Sequence, residues 1–161
     1  MAAATEAIRW HCHTRLEKYA GEVRPGAKPL DVVEVEGNLL VTNGATLLWN
    51  ALIGTAITVF SNANAVIGVG DGTTAAAAGD TDLSGTNKLR KAMDATYPSI
   101  STNTVTFHST FATTDANFAW NEWGVFNAAS GATSMLNHKV TSLGTKPNTQ
   151  SWVMTVTLSL S

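Results

Sequence analysis

The 161-residue sequence contains one cysteine, few prolines and few charged side chains. A single cysteine, Cys12, cannot form a disulfide within the chain, so nothing requires an oxidising compartment and we expect synthesis in a cytoplasm. Lys, Arg, Asp and Glu make up only 14% of the residues and the formal net charge is −2, which argues against the clustered basic face of a nucleic-acid-binding protein. No segment approaches the ~20 apolar residues that span a bilayer, and residues 1–8 lack the features of a signal peptide. We therefore expect neither a nucleic-acid nor a membrane partner.

Apolar residues are present at an ordinary level for a globular protein, 44% of the chain, and include five tryptophans and five phenylalanines. Each large aromatic side chain buries roughly 150–250 Å² in a core. At this length and composition we expect one domain with one packed interior.

Alternation of apolar and polar residues predicts strands along most of the chain. In the first of these, Ile8, Trp10, Cys12, Thr14 and Leu16 share one face. The eight candidate strands are residues 8–19, 30–35, 65–69, 88–93, 102–111, 118–127, 135–140 and 152–161. Short spacing and glycine-rich turns favour a mostly β fold, an antiparallel β-sandwich of jelly-roll or immunoglobulin-like type with one helix, and a closed barrel is the alternative.

The one substantial helix is predicted between residues 42 and 53. Thr42 or Asn43 is expected to cap its start, and Gly54 is placed to end it. The helical spacing puts Leu47, Leu48, Ala51 and Leu52 on one side, with Trp49 beside them.

Residues 21–29 contain two prolines and two glycines, which makes regular strand pairing improbable there. We therefore divide the chain into an N-terminal strand and arm, residues 1–29, and a β-sandwich domain, residues 30–161. An arm of this kind could exchange strands with a neighbouring subunit. The candidate interaction residues are Trp10, His11, His13, Arg15, Arg24, Pro25 and Pro29.

His11 and His13 are two residues apart on a predicted strand, so both imidazoles point to the same side, as two metal ligands would. A third ligand is not evident in this segment, and His108 and His138 on other strands are the remaining candidates. Because exposed histidines on a polar strand face are far commoner, we predict no metal site and no cofactor.

Gly68–Gly72 follows a predicted strand, as a phosphate-binding glycine loop does. The dinucleotide spacing fails because residue 73 is Thr, and no P-loop lysine follows, so we predict a turn. Asp71, Asp80 and Asp82 nearby have the oxygen ligands that Ca²⁺ prefers. The EF-hand pattern is absent, and solvated turn aspartates are the favoured interpretation, with a structural cation as the alternative.

Glu122 is flanked by Trp120 and Trp123, and aromatic platforms beside a carboxylate suit carbohydrate rings. We favour core tryptophans with Glu122 at the rim of a strand, and keep a carbohydrate-binding module as the alternative. No Gly-x-Ser-x-Gly motif is present and Cys12 has no evident base partner, so the sequence predicts a protein that is not an enzyme.

Several stretches together resemble a group of small virion structural proteins of tailed bacteriophages, over nearly the whole chain. The stretches are Trp10–His13, Arg15–Tyr19, Gly37–Leu40, Ala65–Gly72, Lys91–Asp94, Tyr97–Pro98, Asn117–Gly124 and Met135–His138. The resemblance implies a surface-attached β module present in many copies, and it carries no catalytic residues.

Members of this group are capsid decoration (cement) proteins and minor tail proteins. From the resemblance we expect a decoration protein on the capsid exterior that contacts the major capsid protein and neighbouring copies of itself, as a trimer. A tail or baseplate component is the close alternative. A host-surface glycan is a further partner that the sequence leaves open.

Overall fold

The computed structural model describes residues 8–132 and 134–161, which contain ten strands and one helix. The elements are β1 (Trp10–Ala20), β2 (Asp31–Glu36), β3 (Leu39–Leu40), α1 (Thr42–Leu52), β4 (Val66–Gly70), β5 (Lys88–Ala92), β6 (Ser99–Ser101), β7 (Thr104–Phe111), β8 (Ala119–Phe126), β9 (Asn137–Thr145) and β10 (Gln150–Leu160). No helix among these residues is long and apolar enough to cross a membrane.

The strands form two five-stranded sheets in which the paired strands are antiparallel, so the predicted mostly β sandwich is confirmed. The first sheet has the order β2-β1-β10-β7-β6, and the second has the order β3-β9-β8-β4-β5. The two short strands β3 and β6 were not predicted, because two or three residues are too few to show an alternating pattern.

β1 lies between β2 and β10 and pairs with β10 along its whole length, from Trp10 opposite Leu160 to Ala20 opposite Gln150. Cys12, Thr14 and Leu16 are buried on its inner face, as the alternation predicts. The division after residue 29 therefore falls between two neighbouring strands of one sheet, because the loop at residues 21–30 is the connection from β1 to β2.

The core between the sheets is built on aromatic side chains. Trp120 of the second sheet packs edge to face against Phe111 and Trp152 of the first, with ring centroids 4.6 and 4.8 Å apart. Trp123 also crosses the interior, where its indole N–H donates to the hydroxyl of Thr14 at 3.2 Å. These contacts lock the two sheets face to face.

The second sheet is also covered on its outer face, where a smaller apolar cluster lies. Val66, Leu83, Phe126, Met135 and Val41 are buried there together. Leu83 belongs to the segment between β4 and β5, residues 71–87, which we call the covering loop. Because the central strands β4 and β8 are almost entirely buried, polar groups on them must find partners within the protein.

Helix α1 begins at Thr42, but its N-cap differs from the prediction. Val41 is its N-cap and gives no side-chain cap, so the predicted cap at Thr42 or Asn43 is wrong. Asn43 instead donates its amide to the carbonyl of Met135 at 3.0 Å. Within α1 only Gly44 is buried, and a Cβ there would lie 2.7 Å from the carbonyl carbon of Leu136, so the glycine allows the first turn to approach the residue just before β9.

Candidate functional site

The predicted N-terminal interaction residues lie along β1 and the loop after it. Trp10 donates its indole N–H to Asn38 at 2.7 Å, His11 Nε2 lies 2.8 Å from Ser161 Oγ, and His13 Nε2 lies 2.7 Å from a Glu34 oxygen. Arg15 pairs with Glu34 and, at 3.0 Å, with Glu17. Arg24 and Pro25 are exposed in the loop, and Pro29 is half-buried.

The four histidines do not converge on one site. His11 and His13 are hydrogen-bonded on β1, whereas His108 contacts Asp94 at 2.8 Å and His138 is buried in the second sheet. Across the described residues, 8–132 and 134–161, no group of three or more His, Cys, Asp and Glu side chains is arranged to hold a metal ion.

Glu122 is fully buried, so the prediction that it lies at a strand rim is wrong. It sits on the outer face of β8, beneath the covering loop. Its carboxylate accepts backbone N–H groups from Gly72 at 3.2 Å, Ser84 at 3.0 Å and Gly85 at 2.6 Å. The Ser84 hydroxyl donates a further bond at 3.0 Å, so one side chain fastens both ends of the loop to the sheet.

Glycines are required around the Glu122 carboxylate because any side chain at these positions would collide with it. A Cβ on Gly70 would lie 2.6 Å from Oε1 of Glu122, and a Cβ on Gly72 would overlap both Glu122 and Ser84. The glycine-rich turn after β4 therefore does surround an anion, as a phosphate loop would, but the anion is the protein's own Glu122.

His138 completes the site from the neighbouring strand β9. Its Nε2 lies 2.9 Å from Oε2 of Glu122, and its Nδ1 lies 2.7 Å from Oδ2 of Asp80. Both partners are carboxylates, which accept hydrogen bonds when ionised, so this geometry favours a protonated imidazole that donates from both ring nitrogens. We call Asp80, His138 and Glu122 the buried triad.

The pKa directions agree with this charge state. Burial raises the pKa of Glu122, but hydrogen bonds from His138, Ser84 and Gly85 outweigh it and hold the pKa at about 2. Burial lowers the pKa of His138, but hydrogen bonds to Glu122 and Asp80 outweigh burial and raise it. An ionised, saturated Glu122 has no proton to give at neutral pH, so the triad is suited to holding the covering loop in place.

The three aspartates of the covering loop point to different partners. Asp71 accepts bonds from the backbone and amide N–H groups of Asn87, Asp80 contacts His138, and Asp82 pairs with Lys88 and Arg90, both at 2.8 Å. Each carboxylate is thus engaged by donors of the protein itself.

Trp120 and Trp123 are 0% and 1% exposed, so neither forms a platform for a carbohydrate ring. The pairing of β8 with β9 is irregular between Trp120 and Glu122, so strict alternation is lost there. This irregularity lets both tryptophans enter the shared core although they are three residues apart.

The thiol of Cys12 is also buried, and this burial raises its pKa to about 11.

An apolar surface lies at one end of the sandwich, where α1, β6, β7 and β10 meet. A groove of about 410 Å³ there is lined by Trp10, Leu48, Phe60, Pro98, Ser99, Ile100, Asn103, Val105, Phe107, Leu136, Leu158, Ser159 and Leu160. Beside it, α1 exposes Trp49, Leu52 and, just after its last residue, Ile53. We call the groove and these three side chains the apolar end.

The apolar end includes the exposed side chains of α1. The apolar spacing of this helix resembles that of a helix packed on a core, yet Leu52 is 73% exposed and Leu48 is 41% exposed. Gly44 in the first turn is buried and Leu47 is half-buried, whereas Leu48, Trp49 and Leu52 present much of their apolar surface to solvent. The one sequence signal at this surface is that α1 has no charged residue on any face, and that signal does not distinguish a buried helix from an exposed one.

Comparisons with protein-family models, with curated proteins and with solved structures found no match for this chain.

Proposed function

We propose that this protein is a non-enzymatic structural subunit of a tailed-bacteriophage virion, most specifically a capsid decoration protein that binds the lattice of the major capsid protein from outside. The sequence resemblance to virion proteins suggests that the chain is part of a virion. The apolar end is the structural observation that carries the assignment to an assembling protein.

Apolar side chains exposed together are unusual in a protein that works alone. The largest apolar patch on a typical monomer covers about 300–600 Å², and larger patches mark contact surfaces. Here Ile100 and Leu160 border the groove while Leu52 and Ile53 stand beside it, each between 48% and 76% exposed. Covering these side chains in a particle removes them from water, which favours assembly.

The polar chemistry of the chain supports a structural role over a catalytic one. Two buried titratable groups, Glu122 and His138, are bonded to each other and to the covering loop. The buried ammonium of Lys146 likewise donates to the Ala112 carbonyl at 2.7 Å and to Asn117 at 3.0 Å. These groups fasten loops to the sandwich.

The location is tested on purified virions of the phage that encodes this chain, labelled with gold-conjugated antibody against the recombinant protein. Label spread over the capsid is the expected result, and antibody preabsorbed with the protein is the control. Label confined to the tail would replace the decoration role with the tail or baseplate alternative. Virions free of the protein by mass spectrometry would overturn both.

The contribution of the apolar end is tested by adding purified protein to capsids that lack it. Leu52→Glu places a charge on the exposed helix and is expected to weaken capsid binding at least tenfold. Val23→Glu is the matched control, because Val23 is an exposed apolar residue of the loop between β1 and β2. If Val23→Glu alone weakens binding, capsid attachment depends on the N-terminal arm and not on the apolar end.

A further inference from the structure

We infer that the apolar end is a self-association surface, on which the exposed face of α1 from one copy of this chain packs against the groove of another. The inference deepens the proposed function by naming a partner for the same surface. It does not depend on the virion assignment, because it is tested on the purified protein alone.

The geometry provides both halves of such a contact. Trp49 and Ile53, one helical turn apart, are 65% and 74% exposed, so both side chains are free to contact another molecule. The groove next to them is concave and floored by Phe107 and Leu158. A projecting apolar side chain entering an apolar pocket is the usual centre of a protein interface.

The chemistry of the surface favours a second copy as the occupant. Neither the groove lining nor α1 contains a charged residue. A charged patch repels its own copy, whereas an uncharged apolar one meets no like-charge repulsion when it faces itself. Recognition of a charged partner would require residues of opposite charge on this surface, and neither the groove lining nor α1 contains any.

The exposed area is sufficient for a stable contact. Seven large apolar side chains at or next to this end are between 41% and 76% exposed: Leu48, Trp49, Leu52, Ile53, Val59, Ile100 and Leu160. Together they expose on the order of 800 Å², which is about what each partner contributes to a standard-sized interface.

The first test is the molar mass of the purified full chain by sedimentation equilibrium between micromolar and hundred-micromolar concentrations. We expect an assembly of two or three copies for the wild type and for Val23→Glu. Leu52→Glu is expected to raise the dissociation constant at least a hundredfold. A monomeric wild type at every concentration, or a Leu52→Glu protein that assembles as well as wild type, would overturn the inference.

A second test uses the two tryptophans of the apolar end as reporters: Trp49 is 65% exposed and the half-buried Trp10 lines the groove, whereas the indoles of Trp120, Trp123 and Trp152 are buried. Acrylamide quenching of tryptophan fluorescence should decrease as the wild-type concentration rises, because assembly covers Trp49. It should stay constant in Leu52→Glu, and far-ultraviolet circular dichroism verifies that this variant is folded. Concentration-independent quenching of an assembled wild type would place the interface elsewhere on the molecule and refute the inference.

Failure of this inference and failure of the proposed function give different results. A monomer in solution that still labels the capsid keeps the virion role and removes self-association. An assembly that dissociates on Leu52→Glu but is missing from virions keeps the surface and removes the virion role.

Discussion

The Nε2 atom of His138 lies 2.9 Å from Oε2 of Glu122, and both side chains are fully buried between β-strands and the covering loop. A buried ion pair is tolerated only when its remaining hydrogen-bonding groups are also satisfied. Here Asp80 engages the other imidazole nitrogen, and Gly72, Ser84 and Gly85 donate to the carboxylate. The ion pair thereby fixes the covering loop in place over the second sheet.

Replacing Glu122 by Gln should destabilise the protein by about 3–5 kcal/mol, the usual cost of breaking a buried pair from one side. The amide removes the charge that His138 faces and directs N–H groups at backbone donors. Urea denaturation followed by tryptophan fluorescence measures the loss. Glu34→Gln is the control, because its ion pairs with Arg15 and His13 are exposed and such pairs contribute only about 0–1 kcal/mol. Equal losses in the two variants would contradict the structural role of the buried triad.

The melting temperature should be highest between about pH 4.5 and 6.5. The pKa of Glu122 is lowered from 4.5 to about 2, so its contribution is present above pH 4.5 and is lost as the pH falls through 2. The pKa of His138 is raised from 6.5, so its contribution is complete below pH 6.5 and is lost as the pH rises through the higher folded value.

Differential scanning fluorimetry from pH 2 to pH 9 on wild type, Glu122→Gln and His138→Gln measures this dependence. Asp82 and Asp115 also have lowered pKa values and add to the acid loss, so the difference between wild type and Glu122→Gln isolates the triad. The alkaline loss should disappear in His138→Gln. If His138→Gln shows the same decline in melting temperature above pH 6.5 as the wild type, the assignment of a protonated His138 is wrong.

Gly72→Ala should be severely destabilising, whereas Gly79→Ala in the same loop should be tolerated. A methyl group on Gly72 would overlap the Glu122 carboxylate and the backbone of Gly85, which lies 2.6 Å from the Cβ position. At Gly79 nothing lies within 4 Å. Thermal melts of the two variants compare them directly, and a Gly72→Ala protein as stable as Gly79→Ala would refute the close packing around Glu122.

Strand positions were largely predictable because alternation survives in β1, β7 and β10, whose outer faces are polar and inner faces apolar. The helix was also predictable, but its surroundings were not. The sequence pattern of an apolar helix face is the same whether the face packs on its own core or remains exposed, as Leu48 and Leu52 do. Only the three-dimensional arrangement distinguishes these cases.

The buried triad could not be predicted, because its residues are far apart in sequence and meet through the register of β8 with β9 and the path of the covering loop. Glu122 pairs with Val140, which brings His138 to a diagonal position on the same face. One signal is present in the sequence: Gly70 and Gly72 lack Cβ atoms and so leave room for another group close to the backbone. The sequence offered no means of knowing that the group was a carboxylate of the same chain.

Deleting residues 1–29 should abolish cooperative folding rather than release an arm. The deletion removes β1, which separates β2 from β10, and with it the buried side chains of Cys12, Thr14 and Leu16. It also leaves the indole N–H of Trp123 without its acceptor. A large cavity and an unpaired donor in the core each cost about 1–5 kcal/mol, against a total stability of about 5–15 kcal/mol for most domains.

The matched control replaces residues 23–28 with two glycines, which keeps β1 and β2 connected and removes most of the exposed loop. That variant should melt cooperatively within a few degrees of wild type, because it removes no buried side chain. Thermal circular dichroism of both proteins makes the comparison. A deletion of residues 1–29 that stays soluble and melts cooperatively would show that β1 is dispensable to the sandwich, and would restore the interpretation of the N-terminal segment as an arm that serves a neighbouring subunit.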